Sequence, residues 1–241
     1  SGQRGDFIAA LQRQEAGVPL TVIAEFKQAS PSRGPICHSL TVEETARQYV
    51  AAGAGALSIL TERRFFAGEL DFLGRAAACC PGTPLLRKDF IFDPLQVRAT
   101  AATPAAALLL IVALTPDAAL LRRLREQAES LGMQAVVEVC GKKDLVLARE
   151  SGARIIQVNA RDLDTLRVDR QACLELARQC PPERGEIWIA ASGMDRREHL
   201  EEAARAGFSA ALVGTALMQE GQPGAALRRL LRGREEGHHA A

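Results

Sequence analysis

A chain of 241 residues with a 47% hydrophobic fraction and a formal net charge of +1 has the composition of an ordinary globular protein. Its charge, with Arg and Glu interspersed as in Leu121-Arg122-Arg123-Leu124-Arg125-Glu126, argues against nucleic-acid binding, which needs a basic face. No charged-then-apolar leader opens the sequence, and no run approaches the ~20 apolar residues of a membrane span, so a cytoplasmic protein is expected.

In chain order, short apolar runs predict eight strands: Leu20 to Phe26, Ala56 to Leu60, Pro84 to Lys88, Ala107 to Val112, Ala135 to Val139, Arg154 to Val158, Ile187 to Ala191 and Ala210 to Val213. Helical patterns fall between them, at Val42 to Ala52, Pro116 to Leu131, Lys142 to Glu150, Arg170 to Gln179 and Arg196 to Ala206. The Ala-rich run from Ala99 to Leu114 is broken by Thr103 and Pro104, and reads as a helix end, a turn and a buried strand. Gly53, Gly132, Gly152 and Gly207 each follow a helix and suit its C-terminal cap. Near-continuous apolar strands alternating with helices imply a parallel sheet buried on both faces. Eight such units in this length imply closure into one (β/α)8 TIM barrel domain, residues 1–241, with a short N-terminal extension and a frayed C-terminus. A doubly wound open sheet is the rival, weakened by the lack of a G-x-G-x-x-G turn after the first strand.

The six cysteines, Cys37, Cys79, Cys80, Cys140, Cys173 and Cys180, form no C-x-x-C pair and no zinc-spaced cluster, so reduced structural thiols and no metal are expected. The terminal His238-His239 pair reads as part of the frayed end.

In such barrels the active site lies at the C-terminal ends of the strands, and inward-facing residues alternate. The first strand ends in Glu25 and Lys27 on one side, the third in Lys88, the fifth in Glu138, and the sixth in Asn159 and Arg161 at matching parity. The seventh runs into Ser192-Gly193 and the eighth into Gly214-Thr215. Any one of these is compatible with an ordinary solvated strand end. Together they put lysines, carboxylates, an amide and a guanidinium at one mouth. Lysines beside carboxylates suit general acid–base work. The loops after the last two strands commonly bind phosphate through backbone N–H groups; the bland reading is that their glycines merely make tight turns. Residue chemistry therefore stops at a barrel enzyme acting on a phosphorylated small anion.

At these positions the chain resembles a known family. Val22-Ile23-Ala24-Glu25-Phe26-Lys27-Gln28-Ala29-Ser30-Pro31-Ser32-Arg33-Gly34 and Leu85-Leu86-Arg87-Lys88-Asp89-Phe90-Ile91-Phe92-Asp93-Pro94 are similar to two long motifs of indole-3-glycerol phosphate synthases. Leu60-Thr61-Glu62, Phe65-Phe66-Ala67-Gly68, Asn159-Ala160-Arg161-Asp162-Leu163, Ser192-Gly193 and Val213-Gly214-Thr215 follow in family order. The resemblance implies ring closure, decarboxylation and dehydration of 1-(2-carboxyphenylamino)-1-deoxyribulose 5-phosphate, without a cofactor, in tryptophan biosynthesis. It makes Lys88 the general acid, Glu138 the proton carrier of dehydration, Lys27 a second donor and Glu25 the residue that orients the lysines. Asn159 would hold sugar hydroxyls, Ser30, Arg161 and Ser192 would bind substrate, and Phe90 would pack on the anthranilate ring. Gly193, Gly214 and Thr215 would receive the phosphate. A monomer or weak homodimer is expected, with no membrane or nucleic-acid partner.

Three departures from the family pattern stand out. Ala191 takes the place of a glutamate before Ser192-Gly193, removing a negative partner of the lysines. Ala160 replaces the commoner second Asn on the side facing away from the mouth. The N-terminal segment is short, leaving Asp6 to Gln14 to supply part of a lid over the active site. These departures motivate an alternative, a catalytically impaired barrel that binds phosphorylated ligands or a partner protein, which a rate gain from Ala191→Glu would favour. A sister barrel such as a phosphoribosylanthranilate isomerase would need a Cys/Asp acid–base pair, and Cys140 and Asp162 do not fall at the strand positions required.

Overall fold

The computed structural model describes residues 4–31, 34–36, 40–161 and 167–233. Cys37, Asp162, Leu163 and the His238-His239 pair lie outside them. In chain order, α1 (Phe7–Gln12) precedes β1 (Thr21–Phe26), and a small hairpin of β2 (Ala29–Ser30) and β3 (Gly34–Pro35) follows. Then come α2 (Val42–Ala51), β4 (Ala56–Leu60), α3 (Arg63–Phe66), α4 (Asp71–Cys79), β5 (Leu85–Lys88), α5 (Pro94–Ala101) and β6 (Ala107–Ile111). The chain continues through α6 (Ala118–Ser130), β7 (Gln134–Val139), α7 (Lys142–Glu150), β8 (Ile155–Asn159), α8 (Arg170–Gln179) and β9 (Ile187–Ala191). It finishes with α9 (Arg197–Arg205), β10 (Ala210–Val213), α10 (Thr215–Met218) and α11 (Pro223–Arg232).

Eight strands close a parallel barrel in the order β1-β10-β9-β8-β7-β6-β5-β4. Each predicted strand run is one of these eight. Closure joins the two ends of the chain, with Thr21 opposite Ala210 and Ala24 opposite Val213. Alternation along each strand divides the apolar residues in two. Ile23, Ala56, Leu86, Leu109, Val136, Ile155, Ile189 and Leu212 pack inside the barrel, whereas Val22, Leu57, Leu85, Leu108, Val137, Ile156 and Trp188 face the helices. A strand buried on both faces needs no polar alternation, which is why these runs read as continuous.

Local signals set the helix limits. Thr41 and Glu44 form a reciprocal capping box at the start of α2, and Asp93 with Gln96 does the same for α5, where Pro94 takes the first turn. The helix-terminating glycines Gly53, Gly132, Gly152 and Gly207 all have positive φ, from 76° to 100°, the left-handed conformation that a side chain disfavours.

One expectation is corrected. The segment from Asp6 to Gln14 is not a lid. Phe7 and Leu11 are buried with Ile23, Ala56 and Ala107 in the barrel interior. Added Cβ atoms at Gly5 and Gly55, which precede β5's and β4's starts in space, would meet Pro84 and Thr21. Arg4 donates to the carbonyls of Leu131 and Ala101, beyond the C-termini of α6 and within α5. α1 thus closes the barrel at the N-terminal ends of its strands, opposite the mouth, because its two large apolar residues fill a floor lined by small ones.

Candidate active site

Inward parity places Glu25 on β1, Lys88 on β5, Glu138 on β7, Asn159 on β8 and Ala191 on β9 at the same end of the barrel, with Lys27 just past β1. Two ion pairs result. Lys27 Nζ lies 2.8 Å from Glu25 Oε1, and Lys88 Nζ lies 3.8 Å from Glu138 Oε2. Both carboxylates are buried. Both lysine side chains keep some exposure at the mouth, 12% and 19%, so their ammonium groups can reach a ligand.

Burial by itself pushes the Glu25 carboxyl up. The Lys27 and Lys88 charges, and hydrogen bonds from Lys27 and from Ser58 at 3.5 Å, outweigh it, so the group sits below the usual carboxylate range. It is therefore a fixed anion that orients Lys27 and acts on Lys88. The Tyr49 hydroxyl donates to the Glu25 carbonyl at 3.1 Å, anchoring the strand end.

Glu138 is held differently, by neutral amides. Asn159 Nδ2 donates to Oε1 at 3.0 Å, and Gln157 Nε2 donates to Oε2. Asn159 Oδ1 in turn accepts from the Arg161 backbone amide at 3.0 Å and from Ser192 Oγ at 2.8 Å. Asn159 was expected to hold sugar hydroxyls; in the protein alone it links Glu138, Arg161 and Ser192. Ser192 has φ of 68° and Gly193 of 73°, so the turn after β9 carries a non-glycine residue in left-handed backbone, a strain tolerated at functional sites. A Cβ on Gly193 would stand 3.0 Å from Val168.

Gly214 precedes α10, which begins at Thr215. A Cβ there would stand 2.4 Å from Glu25 Oε1, so this glycine makes room for the carboxylate, a second reason for it beside the approach of a phosphate. Ser30 is buried on β2, and the Phe90 ring is half-buried, 6.2 Å from that of Phe66. Ala191 is buried among the inner residues, putting a methyl where a third carboxylate would stand. Ala160 faces outward, as expected.

Sequence reasoning missed Gln157, Ser58 and Tyr49. Gln157 and Ser58 were findable as polar residues of inward parity within apolar strands. Tyr49 carries no such signal, because its contact is made from a helix. Nearby, Arg87 and Asp89 form an ion pair at 2.8 Å that also takes in Thr61 and Thr100; it ties the outer face of β5 to α5, while Lys88 is the charged residue of β5 that faces inward. Among the described residues there is no group of His, Cys, Asp and Glu suited to a metal ion.

Fold and site together define a (β/α)8-barrel enzyme whose mouth carries two lysine–glutamate pairs. The solved structures that resemble it share that fold at low identity: a 3-hexulose-6-phosphate synthase at TM-score 0.71 and 15% identity, covering 88% of this chain and 98% of that one, and KGPDC from Streptococcus mutans at TM-score 0.65 and 11% identity, covering 88% and 95%. Residues 2–230 match the family described as indole-3-glycerol phosphate synthase. Relatives so named are 45% identical in Chloroherpeton thalassium, over 88% of this chain and 80% of the relative, and 41% identical in Koribacter versatilis, over 95% and 85%. The chain belongs to the indole-3-glycerol phosphate synthase family, carbon–carbon lyases of tryptophan biosynthesis.

Proposed function

We propose that the two ion pairs divide the chemistry of this synthase. The substrate, 1-(2-carboxyphenylamino)-1-deoxyribulose 5-phosphate, places its ribulose carbonyl oxygen at Lys88. As the ring carbon bearing the carboxylate attacks that carbonyl carbon, Lys88 gives the oxygen a proton. Carbon dioxide then leaves, returning its bonding electron pair to the ring. Dehydration of the resulting alcohol needs a proton taken up on one side and one given on the other, and Glu138 and Lys27 serve those transfers. Glu25 keeps Lys27 aimed. Donors set in place before charge develops, in a mouth with little water, are worth more than the same groups in solution.

The observation that carries this reading is the 3.8 Å pair of Lys88 and Glu138 at the inner end of a barrel mouth. Ser30, Arg161, Ser192 and Asn159 surround the sugar, Phe90 packs on the anthranilate ring, and backbone groups of Gly193, Gly214 and Thr215 receive the phosphate. The barrel is the one domain of the chain, working without a cofactor as a monomer or weak homodimer in the cytoplasm. The thiols of Cys79, Cys80, Cys173 and Cys180, in no disulfide among the described residues, fit that reducing compartment. No helix among the described residues is long and apolar enough to cross a membrane.

The test is a fluorescence assay of indole formation with Lys88→Ala. Turnover is expected to fall by the ~10²–10⁴ typical of a general acid, and near-wild-type turnover would reject the assigned role.

A further inference from the structure

The two amides on Glu138 differ in what their oxygens do. Asn159 Oδ1 is occupied twice, by the Arg161 amide and the Ser192 hydroxyl. Turning that carboxamide over would set its NH2 against the Arg161 N–H and its oxygen against the Glu138 carboxylate, so Asn159 is fixed as a donor. Gln157 Oε1 is buried and has no hydrogen-bond partner, although the residue is fully buried. A buried acceptor without a donor destabilises the fold. On either side Gln157 stands in register with Glu138 and Ile189, and Ile189 offers no donor to that oxygen.

We infer that Gln157 is a positioning residue whose carboxamide turns over with the protonation state of Glu138. The inference rests on the reading of Glu138 as a proton carrier. A carboxylate only accepts hydrogen bonds, while a carboxylic acid has one O–H to donate. A lysine or arginine partner would serve the first state alone. With Glu138 ionised, Gln157 Nε2 donates to Oε2. With Glu138 protonated on Oε2, a half-turn about the last torsion of Gln157 presents Oε1 to accept that proton, and the orphaned oxygen finds its donor. That torsion is soft and roughly two-fold, and no contact to Oε1 resists it.

Asn159 completes the device. Its fixed donor keeps Oε1 an acceptor in both states, which directs the proton to Oε2, the oxygen facing Lys88 Nζ. Among the described residues, Lys88 from β5 faces Glu138 directly, and Glu25 and Lys27 from β1 and Arg161 beyond β8 stand at the same end of the barrel. Among the described residues, β6 and β9 present Ile111, Ile189 and Ala191 on this side. With Ala191 in place of an acid, the carrier's second oxygen is left to Gln157.

The test combines NMR of protein labelled with nitrogen-15 in its glutamine side chains with steady-state kinetics. The Gln157 carboxamide signals, assigned by their loss in Gln157→Met, are expected to move in a single step as pH is lowered, and that step is expected to vanish in Glu138→Gln. Gln157→Met is expected to lower kcat about tenfold, part of the ~10²–10⁴ an acid–base group supplies, with KM within about twofold. Signals indifferent to pH, a step that persists in Glu138→Gln, or a wild-type kcat in Gln157→Met would each overturn the inference. Full turnover by Glu138→Gln would instead overturn the reading of Glu138 as carrier, and the Gln157 role with it. A Glu138→Gln enzyme without turnover, beside Gln157 signals indifferent to pH, would overturn the turning amide alone.

Discussion

Replacing Gly214 by alanine separates two roles that one glycine plays. The new methyl would stand 2.4 Å from Glu25 Oε1 and 3.1 Å from that residue's Cβ and Cδ. Gly214 has φ of −125°, outside the left-handed region, so contact rather than backbone conformation sets the cost. To reach a normal separation of about 3.5 Å, the carboxylate must retreat by roughly 1 Å. That carries it away from Lys27, now at 2.8 Å, and from Ser58 at 3.5 Å. Overpacking of this kind costs ~1–3 kcal/mol, which in a chain this long lowers the unfolding temperature by about 2–4 °C per kcal/mol. A displacement of 1 Å beside the chemistry costs on the order of 10²-fold in rate. The assay is fluorescence-detected turnover with thermal unfolding, run also in a Glu25→Ala background, where only the 3.1 Å approach to the residue 25 Cβ remains and the thermal cost of the methyl is expected to shrink. A Gly214→Ala enzyme with a raised KM, full kcat and an unchanged unfolding temperature would refute the reasoning and leave the glycine with the phosphate alone.

Phe7→Ala is expected to cost ~2–4 kcal/mol, less than a central core truncation because α1 frays at little cost, while leaving kcat and KM unchanged; a large KM effect with intact stability would return this segment to the mouth. Hydrogen bonds from Arg75 hold Glu43 at about 2 against the ordinary 4.5. Because the folded value is the lower one, this stabilisation is complete above pH 4.5 and is lost as pH falls toward 2. The pair is partly exposed and worth at most ~1 kcal/mol, so urea unfolding curves of wild type and Arg75→Met are expected to differ slightly at pH 7 and to converge near pH 2; a constant gap would contradict the assignment. Burial pushes the Cys173 and Cys80 thiols up to about 12, so both are expected to resist alkylation in the native protein and to react once it is unfolded, and peptide mapping showing early native modification of Cys173 would contradict that.

The barrel was legible because its strands are apolar on both faces and its helices end on glycines, two signals that survive without any tertiary information. All eight strand runs are found, with ends within a residue or two. The short elements were not legible. α1 has six residues and takes its stability from the floor it plugs, so its sequence suggested a lid as readily as a plug. The hairpin of β2 and β3 depends on a single antiparallel pairing. At the site, parity sufficed to gather Glu25, Lys27, Lys88, Glu138 and Asn159. What it lacked was the partner of each polar atom. Nothing in the spacing indicates that Gly214 yields space to Glu25, or that Asn159 spends its oxygen on Ser192, since those contacts join strands well separated in the chain.

The pairing of Thr21 with Ala210 has a consequence during synthesis. β1 leaves the ribosome well before β10, and until β10 emerges one of its edges has no partner. At ~5–20 residues per second that wait lasts roughly 10–40 s. Throughout it, the nascent chain carries an open apolar ribbon, Val22-Ile23-Ala24, with unsatisfied backbone groups along one side, the kind of edge on which chains associate. The barrel's last strand is therefore also the event that ends its most exposed interval.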